Sequence, residues 1–449
     1  MPLVGSPQDI CARLGAHHGT VLLESSKAMP GLSGWSWVTG PSLATLETRG
    51  ELTRLSDSRG RVTDTWADPF EAIQAVLSRI ATGAGARPDG LAFAGGLIGY
   101  LGYDLARFVE RLPTLAADDP PLPTMRLHLC DHVLAFDHAH TQWYFCTLAG
   151  AGERSSVWGA TLQRAQAPTP AATRFHAGTM RSRTPAATYL AQVQQVLDYI
   201  AAGDIFQANL SHRLEGVFEG DAFALYRALT AHNPAPFSAY LPGDGFAIAS
   251  VSPERFLKLE AGEVTARPIK GTLPRDADPQ RDAQQREALQ TSIKDRAENL
   301  MIVDLMRNDL GRVAQVGSVK VEALFEAEAH PSVWQLVSTI RARLRDDATV
   351  ADLLRACWPP GSMTGAPKVR AMEIIEALEP VRRGPYAGAI GYFDAAGDMD
   401  LSVVIRTAVV HGERVMVQLG GAVVADSTPA QELAETEAKG RLLMKALAG

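Results

Sequence analysis

Short apolar runs bounded by turn residues recur along this chain, and they do not alternate with helices as the strand–helix–strand units of a parallel sheet. VLLESS (21–26), WSWVTG (35–40), HVLAFDH (132–138) and WYFCTLA (143–149) read as strands. A helix is expected over 68–82, with Asp68 as N-cap and Pro69 at its first position. Residues 94–104, AGGLIGYLGYD, set glycines between apolar residues and predict close backbone packing; neither GxGxxG nor GxxxxGK[ST] occurs. Further helices are expected over 186–202 (ended by Gly203), 221–232, about 282–306, 352–358, 367–377 and 429–447. Between them lie the strands IFQANLSHRL (205–214) and FAIAS (246–250), a hairpin at 252–270 and three later strands. The expected fold is α+β, with mostly antiparallel β-sheets packed as a sandwich and helices around them.

The chain divides into three stretches: 1–150, strand-rich; 151–185, rich in Ala, Ser, Thr, Arg and Pro and read as a connecting strap; and 186–449. Its 449 residues are 46% hydrophobic and 21% charged, enough apolar material for a large core. The formal charge of −7 is spread over mixed acidic and basic residues, so no polybasic face exists to attract nucleic acid. No apolar run reaches the roughly 18–20 residues of a membrane span. MPLVGSPQDI lacks the start of a signal peptide, and Cys11, Cys130, Cys146 and Cys357 follow no CxxC spacing. A cytoplasmic protein with reduced thiols is expected.

Four groupings could carry chemistry. In the 252–270 hairpin, turning at Ala261-Gly262, a three-residue loop sets Glu254 opposite Lys270 and a two-residue loop offsets them by one. Lys270, in Pro-Ile-Lys-Gly-Thr, is either a buried nucleophile or a solvated lysine beside a turn. Asp295 and Glu298 share a helix face at i, i+3, and Glu432, Glu435 and Lys439 share another at i, i+3, i+7. Two such faces could hold one Mg²⁺ ion, or could be solvated ion pairs. The loop GSMTGAPK opens a helix whose free N–H groups suit an anion, unless Thr364 merely caps it. Arg406, within the apolar LSVVIRTAVV, needs a buried anion, either a structural acid or a ligand carboxylate. Gly420-Gly421 offers a backbone cradle, and Tyr392 either donates nearby or packs.

Eight blocks add a resemblance: GDIFQANLSHR, SPERF, RPIKGTLPR, DRAENLMIVDLMRNDLGRV, GSMTGAPKVRAMEIIEALEP, GAIGYF, IRTAVV and VVADSTPAQELAETEAK. With LLESS, GGLIGYLGYDLAR and NPAPFSAYL, they make the chain similar to the chorismate-utilising enzymes, and imply that family's fold, chorismate as substrate and Mg²⁺ as cofactor. The resemblance implies Glu298 and Glu435 as metal ligands, with Asp295 and Glu432 behind them. It implies Arg406, Tyr392, Lys439, Thr364 and the backbone of Gly420, Gly421 and Ala422 as substrate contacts, and Glu254 as general acid.

At PI-x-GT, aminodeoxychorismate synthases carry lysine, as here, and anthranilate synthases alanine. Gln207 stands where water-adding members carry a lysine base. The resemblance therefore implies attack by Lys270 on C2 of chorismate and then by ammonia on C4. The product would be 4-amino-4-deoxychorismate, a precursor of p-aminobenzoate and folate. No cysteine sits in a Gly-x-Cys-x-Gly turn, so a separate glutamine amidotransferase subunit is implied as ammonia source, forming a heterodimer. Ala422 departs from a frequent glycine, and Trp334-Gln335 stands where relatives often carry histidine; neither Trp334 nor Gln335 is assigned a catalytic role. An anthranilate synthase large subunit is the rival enzyme. A non-catalytic module binding an aromatic amino acid is the rival of another class. Ser25, Pro236, Phe237 and Ser238 would line its tryptophan pocket.

Overall fold

The computed structural model describes residues 3–15, 19–27, 29, 32, 34–81, 90–148, 154–329 and 333–449. Among them the strands form two twelve-stranded sheets with antiparallel pairing. The centre of the first runs Gln207–Gly220, Arg414–Val423, Thr407–His411, Phe246–Ser252, Phe237–Pro242, Leu22–Glu24. The second runs Ile269–Pro274, Val333–Arg343, Glu263–Ala266, Arg255–Glu260, Met399–Val403, Ala389–Asp394, Gly96–Leu101 and onward through four more.

Alternation along the strands builds the layers. In Gly96–Leu101, Ile98 and Tyr100 join a buried cluster shared with Leu23, Ala239 and Ile248 of the first sheet, so the two sheets face each other across it. Leu97 and Leu101 point the other way, into a cluster with the helices Pro69–Ile80, Ile293–Gly311 and Val350–Cys357. The outer face of the first sheet is covered by the helices Pro7–Leu14, Ala222–His232 and Pro429–Ala448. The result is a sheet sandwich with helices on both outer faces, as expected. Both sheets take strands from 1–150 and from 186–449: Leu22–Glu24 pairs with Phe237–Pro242, and Gly96–Leu101 with Ala389–Asp394. The glycines of 94–104 do pack backbone on backbone; a Cβ on Gly96 would lie 2.2 Å from Phe393 O.

Several local expectations change. The connecting strap, in which no element was expected, contains the helix Ser155–Ala165 and the short strands Phe175–Ala177 and Arg181–Ser182, both paired to Gln207–Gly220. The helix expected near 282–306 is two, Pro279–Thr291 and Ile293–Gly311. They are split at Ser292, whose hydroxyl accepts from Asp295 N and starts the second. The hairpin has a two-residue loop, Ala261-Gly262, with φ of 50° and 78° and Glu260 opposite Glu263. Its second arm ends at Ala266, and the Lys270 strand crosses to pair with Val333–Arg343 instead. LSVVIRTAVV is not one strand. Met399–Val403 belongs to the second sheet and Thr407–His411 to the first, and Arg406 sits at the crossing with φ 51°. Among the described residues no helix is long and apolar enough to cross a membrane, and the four cysteines are free.

Candidate active site

The strand Ile269–Pro274 is bulged where the chemistry would be. Ile269 pairs with Val337 and Thr272 with Gln335, so Lys270 and Gly271 together oppose Leu336 alone. Gly271 takes φ 82°, which an L side chain rarely adopts, and the bulge re-aims the lysine out of the ladder. A Cβ on Gly271 would lie 2.9 Å from Cβ of Asp295, so the absent side chain lets the helix Ile293–Gly311 close onto the strand.

Lys270 Nζ donates to Ser362 O at 3.2 Å. The Ser362 hydroxyl hydrogen-bonds the carboxyl of Glu254, which also accepts from Ile269 N–H. Burial pushes the Lys270 amine below its ordinary pKa, against Glu298, Glu254 and Glu435, while Lys439 adds to the push. Burial likewise raises Glu254, against Ser362, Lys270, Ile269 and Arg406. Amine and acid are thus both driven toward their neutral forms. Arg406, whose pKa burial lowers and Glu254 raises, has no hydrogen bond or ion pair from its guanidinium among the described residues.

Glu298 and Glu435, on Ile293–Gly311 and Pro429–Ala448, act on each other and on Lys270 through their charges. Glu298 is raised by burial, with Lys270 and Lys294 opposing and Glu435 and Asp295 adding to the rise. Partial desolvation pushes the half-exposed Glu435 up, but Lys439, at 2.7 Å, brings it below its ordinary value. Glu432 Oε1 accepts from Ser427 at 2.6 Å, whereas its Oε2 is buried without a partner and would lie 2.9 Å from a Cβ on Gly421. Facing carboxylates and an orphaned carboxylate oxygen fit a hard cation. Among the described residues no three His, Cys, Asp or Glu side chains could close a metal site alone. Mg²⁺, which keeps waters and takes substrate oxygens, needs no such cage.

The glycine strand lies beside this group. Lys439 donates to Gly420 O at 3.2 Å, so its ammonium is already shared between Gly420 and Glu435. Arg414–Val423 pairs with Thr407–His411 only as far as Val417; beyond that its outer edge has no strand partner among the described residues. Alternate N–H groups around Gly420–Ala422 are therefore free for an anion. A Cβ on Gly420 would lie 2.7 Å from the Tyr386 hydroxyl and 2.9 Å from Asn209 Oδ1. Ala422 is opposite Asn209, so its methyl is on the same face. Asn209 Oδ1 and both amide atoms of Gln207 are buried without partners, two residues apart on one strand.

One expectation needs correction, and one open alternative falls. Tyr392 is not beside Arg406 and Lys270. It stacks on Phe93 at 4.8 Å, packs against Trp37 at 5.1 Å, and lines a separate cavity of about 260 Å³ with Ser25, Pro236, Phe237 and Ser238. Alternation in Ala389–Asp394 turns it between the sheets with Ile390. Thr364 caps no helix: its hydroxyl donates to Gly361 O, and Lys368–Leu378 begins without a side-chain cap. Its carbonyl instead accepts from Asn209 N at 2.7 Å, so Thr364 joins the 361–364 turn to the strand Gln207–Gly220.

Sequence reasoning passed over Tyr386, Asn209 and Ser362. Ser362 is the serine of the GSMTG loop, in which the sequence singles out the free N–H groups and Thr364. Tyr386 is six residues before Tyr392, and Ala387 at φ 63° kinks the chain between them. The orphaned atom of Gln335, Oε1, is buried two strand positions from Lys270.

Residues 35–445 match the family model of the chorismate binding enzymes. The chain is 45% identical to aminodeoxychorismate synthase component 1 of Salmonella typhimurium, over 93% of this chain and 90% of that protein. It is 39% identical to anthranilate synthase component 1 of Thermus thermophilus, over 88% and 86%. The crystal structure of anthranilate synthase component I from Streptococcus pneumoniae superposes with a TM-score of 0.80 at 29% identity, covering 93% of both chains. Fold and similarity agree that this chain belongs to the family of chorismate binding enzymes.

Proposed function

We propose that the chain is the chorismate-aminating component of an aminodeoxychorismate synthase, converting chorismate and ammonia to 4-amino-4-deoxychorismate. The observation that carries this reading is the half-buried Lys270, its amine turned by its bulge to Ser362, which also holds Glu254. The neutral amine attacks C2, both ring double bonds shift (C1=C2 to C1=C6 and C5=C6 to C4=C5), and the C4–O bond breaks as Glu254 gives its proton to the departing hydroxyl, which leaves as water. Ammonia then attacks C4, both double bonds shift back, and the C2–N bond to Lys270 breaks; a proton passes from the attacking nitrogen to Glu254. Arg406 and the free N–H groups around Gly420–Ala422 bind the substrate carboxylates. Gln207 has no basic nitrogen, so water is not activated there. Mg²⁺, held by Glu298 and Glu435, would neutralise the ring carboxylate and draw electron density from the ring.

Ammonia would come from a separate glutamine amidotransferase subunit, in the cytoplasm. The cavity lined by Ser25, Pro236, Phe237, Ser238, Trp37 and Tyr392 is proposed as a tryptophan site; its volume and aromatic walls support this.

The test is mass spectrometry of products from chorismate, Mg²⁺ and ammonium with wild type and Lys270→Ala. Wild type should make 4-amino-4-deoxychorismate. The variant should lose at least about a hundred-fold in that product and drift toward anthranilate. Anthranilate from the wild type, or undiminished 4-amination by Lys270→Ala, refutes the reading.

A further inference from the structure

Arg383 follows the helix Lys368–Leu378, and its side chain is 1% exposed. Nε donates to Glu379 Oε2 at 2.9 Å, Nη2 to Glu379 Oε1 and to Asn209 O, both at 2.6 Å, and Nη1 to Met363 O at 2.7 Å. Glu379 Oε1 accepts in turn from Ser211 N at 2.8 Å and Ser211 Oγ at 2.7 Å. The guanidinium lies over the rings of Tyr103 and Tyr386, at 4.7 and 5.7 Å from their centroids.

A buried ion pair kept only for packing needs a partner charge, and a well-packed apolar pair would serve as well. This one reaches beyond its partner. Its two carbonyl acceptors belong to two separate segments of the site. Met363 follows Ser362, the residue that holds both Lys270 and Glu254. Asn209 carries the orphaned oxygen beside Gly420, where the Tyr386 hydroxyl also points. The planar fork therefore spans the lysine side and the glycine side while touching no reacting group.

We propose that Arg383, oriented by Glu379, is a positioning residue that fixes the 361–364 turn against the strand Gln207–Gly220, and so sets Lys270 and Glu254 relative to bound substrate. The proposal rests on reading Lys270 and Glu254 as the reacting groups. Lysine at 383 keeps the charge but loses the fork. The two halves of the site then shift relative to each other, and the chemical step suffers more than binding.

The experiment uses Arg383→Lys and the double variant Arg383→Met/Glu379→Gln, which removes both buried charges while leaving Ser211 an acceptor. In chorismate amination with ammonium, kcat should fall about a hundred-fold while KM changes less than about threefold. Amide hydrogen exchange in Arg383→Lys should quicken at Asn209 and Ser211, whose N–H groups bond Thr364 O and Glu379, and stay unchanged in Phe246–Ser252. Near wild-type kcat in either variant overturns the proposal. So does an exchange rise spread evenly over the molecule, the mark of lost stability alone. If the wild type makes no aminated product, the functional reading fails, and the local exchange pattern still decides whether Arg383 fixes the turn.

Discussion

Lys270 Nζ donates to the carbonyl of Ser362 at 3.2 Å, although Ser362 is 92 residues further along the chain. The same serine gives its hydroxyl to Glu254. Amine and acid are therefore registered through a third residue, and not by sharing the open end of one hairpin.

Protonation should govern the rate through this pair. Lys270 is lowered from an ordinary 10.5, so the acid limb of kcat/KM should lie below that value. Glu254 is raised from 4.5, so the alkaline limb should lie above it. The profile should be a bell whose limbs belong to the coupled pair. Glu254→Gln should cut kcat by about 10²–10⁴ and remove the alkaline limb. The sign for stability also follows. A folded-state pKa raised above the unfolded one makes a contribution that is full below the unfolded pKa and lost as pH rises through the folded one. Glu254→Gln should therefore gain about 1–3 °C in Tm over wild type above that window and nothing below pH 4.5. A calorimetric pH series on both proteins checks this.

Arg406 offers its guanidinium to no other protein group among the described residues. Arg406→Lys should raise KM for chorismate about tenfold, or about 1.4 kcal/mol, by losing the bidentate fork. Steady-state kinetics that leave KM unchanged would assign the arginine to the fold instead.

Mg²⁺ dependence should reside in Glu298 and Glu435. The Glu435 side chain is 46% exposed, so Glu435→Gln should unfold nothing. It should weaken Mg²⁺ binding, followed by isothermal calorimetry, by about tenfold or more. Activity of the wild type should vanish in chelator.

Gly271→Ala should harm both stability and rate. Its φ of 82° would cost an L side chain about 1–2 kcal/mol. The new methyl would meet Asp295 and push the Glu298 helix off the lysine strand. A lowered Tm together with reduced kcat is expected. A lowered Tm with kcat intact would show that the helix yields without moving Glu298.

Local signals in the chain were good guides wherever one element supplied the answer. Asp68 and Pro69 do start a helix, and Glu298 with Asp295, like Glu435 with Glu432, do share helix faces because i, i+3 spacing follows from 3.6 residues per turn. The glycines of 94–104 announced close backbone contact, since only a missing Cβ allows carbonyls to approach so near. Where two elements had to meet, sequence reading failed. Arg406 looked like a buried strand residue because apolar strands from two sheets abut in LSVVIRTAVV, and hydropathy does not register the bend between them.

The sequence alone determined the kind of protein this is: short antiparallel strands with amphipathic helices, and motif residues whose types suit chorismate chemistry. The tertiary structure alone decided which of those residues meet. Tyr386 and Tyr392 are chemically alike and six positions apart, yet one reaches Gly420 and the other the cavity between the sheets. That outcome follows from a kink at Ala387 and from which face of the strand packs inward. Ser362 and Arg383 join segments far apart in the chain, and such meetings depend on how the layers pack, which no local spacing encodes.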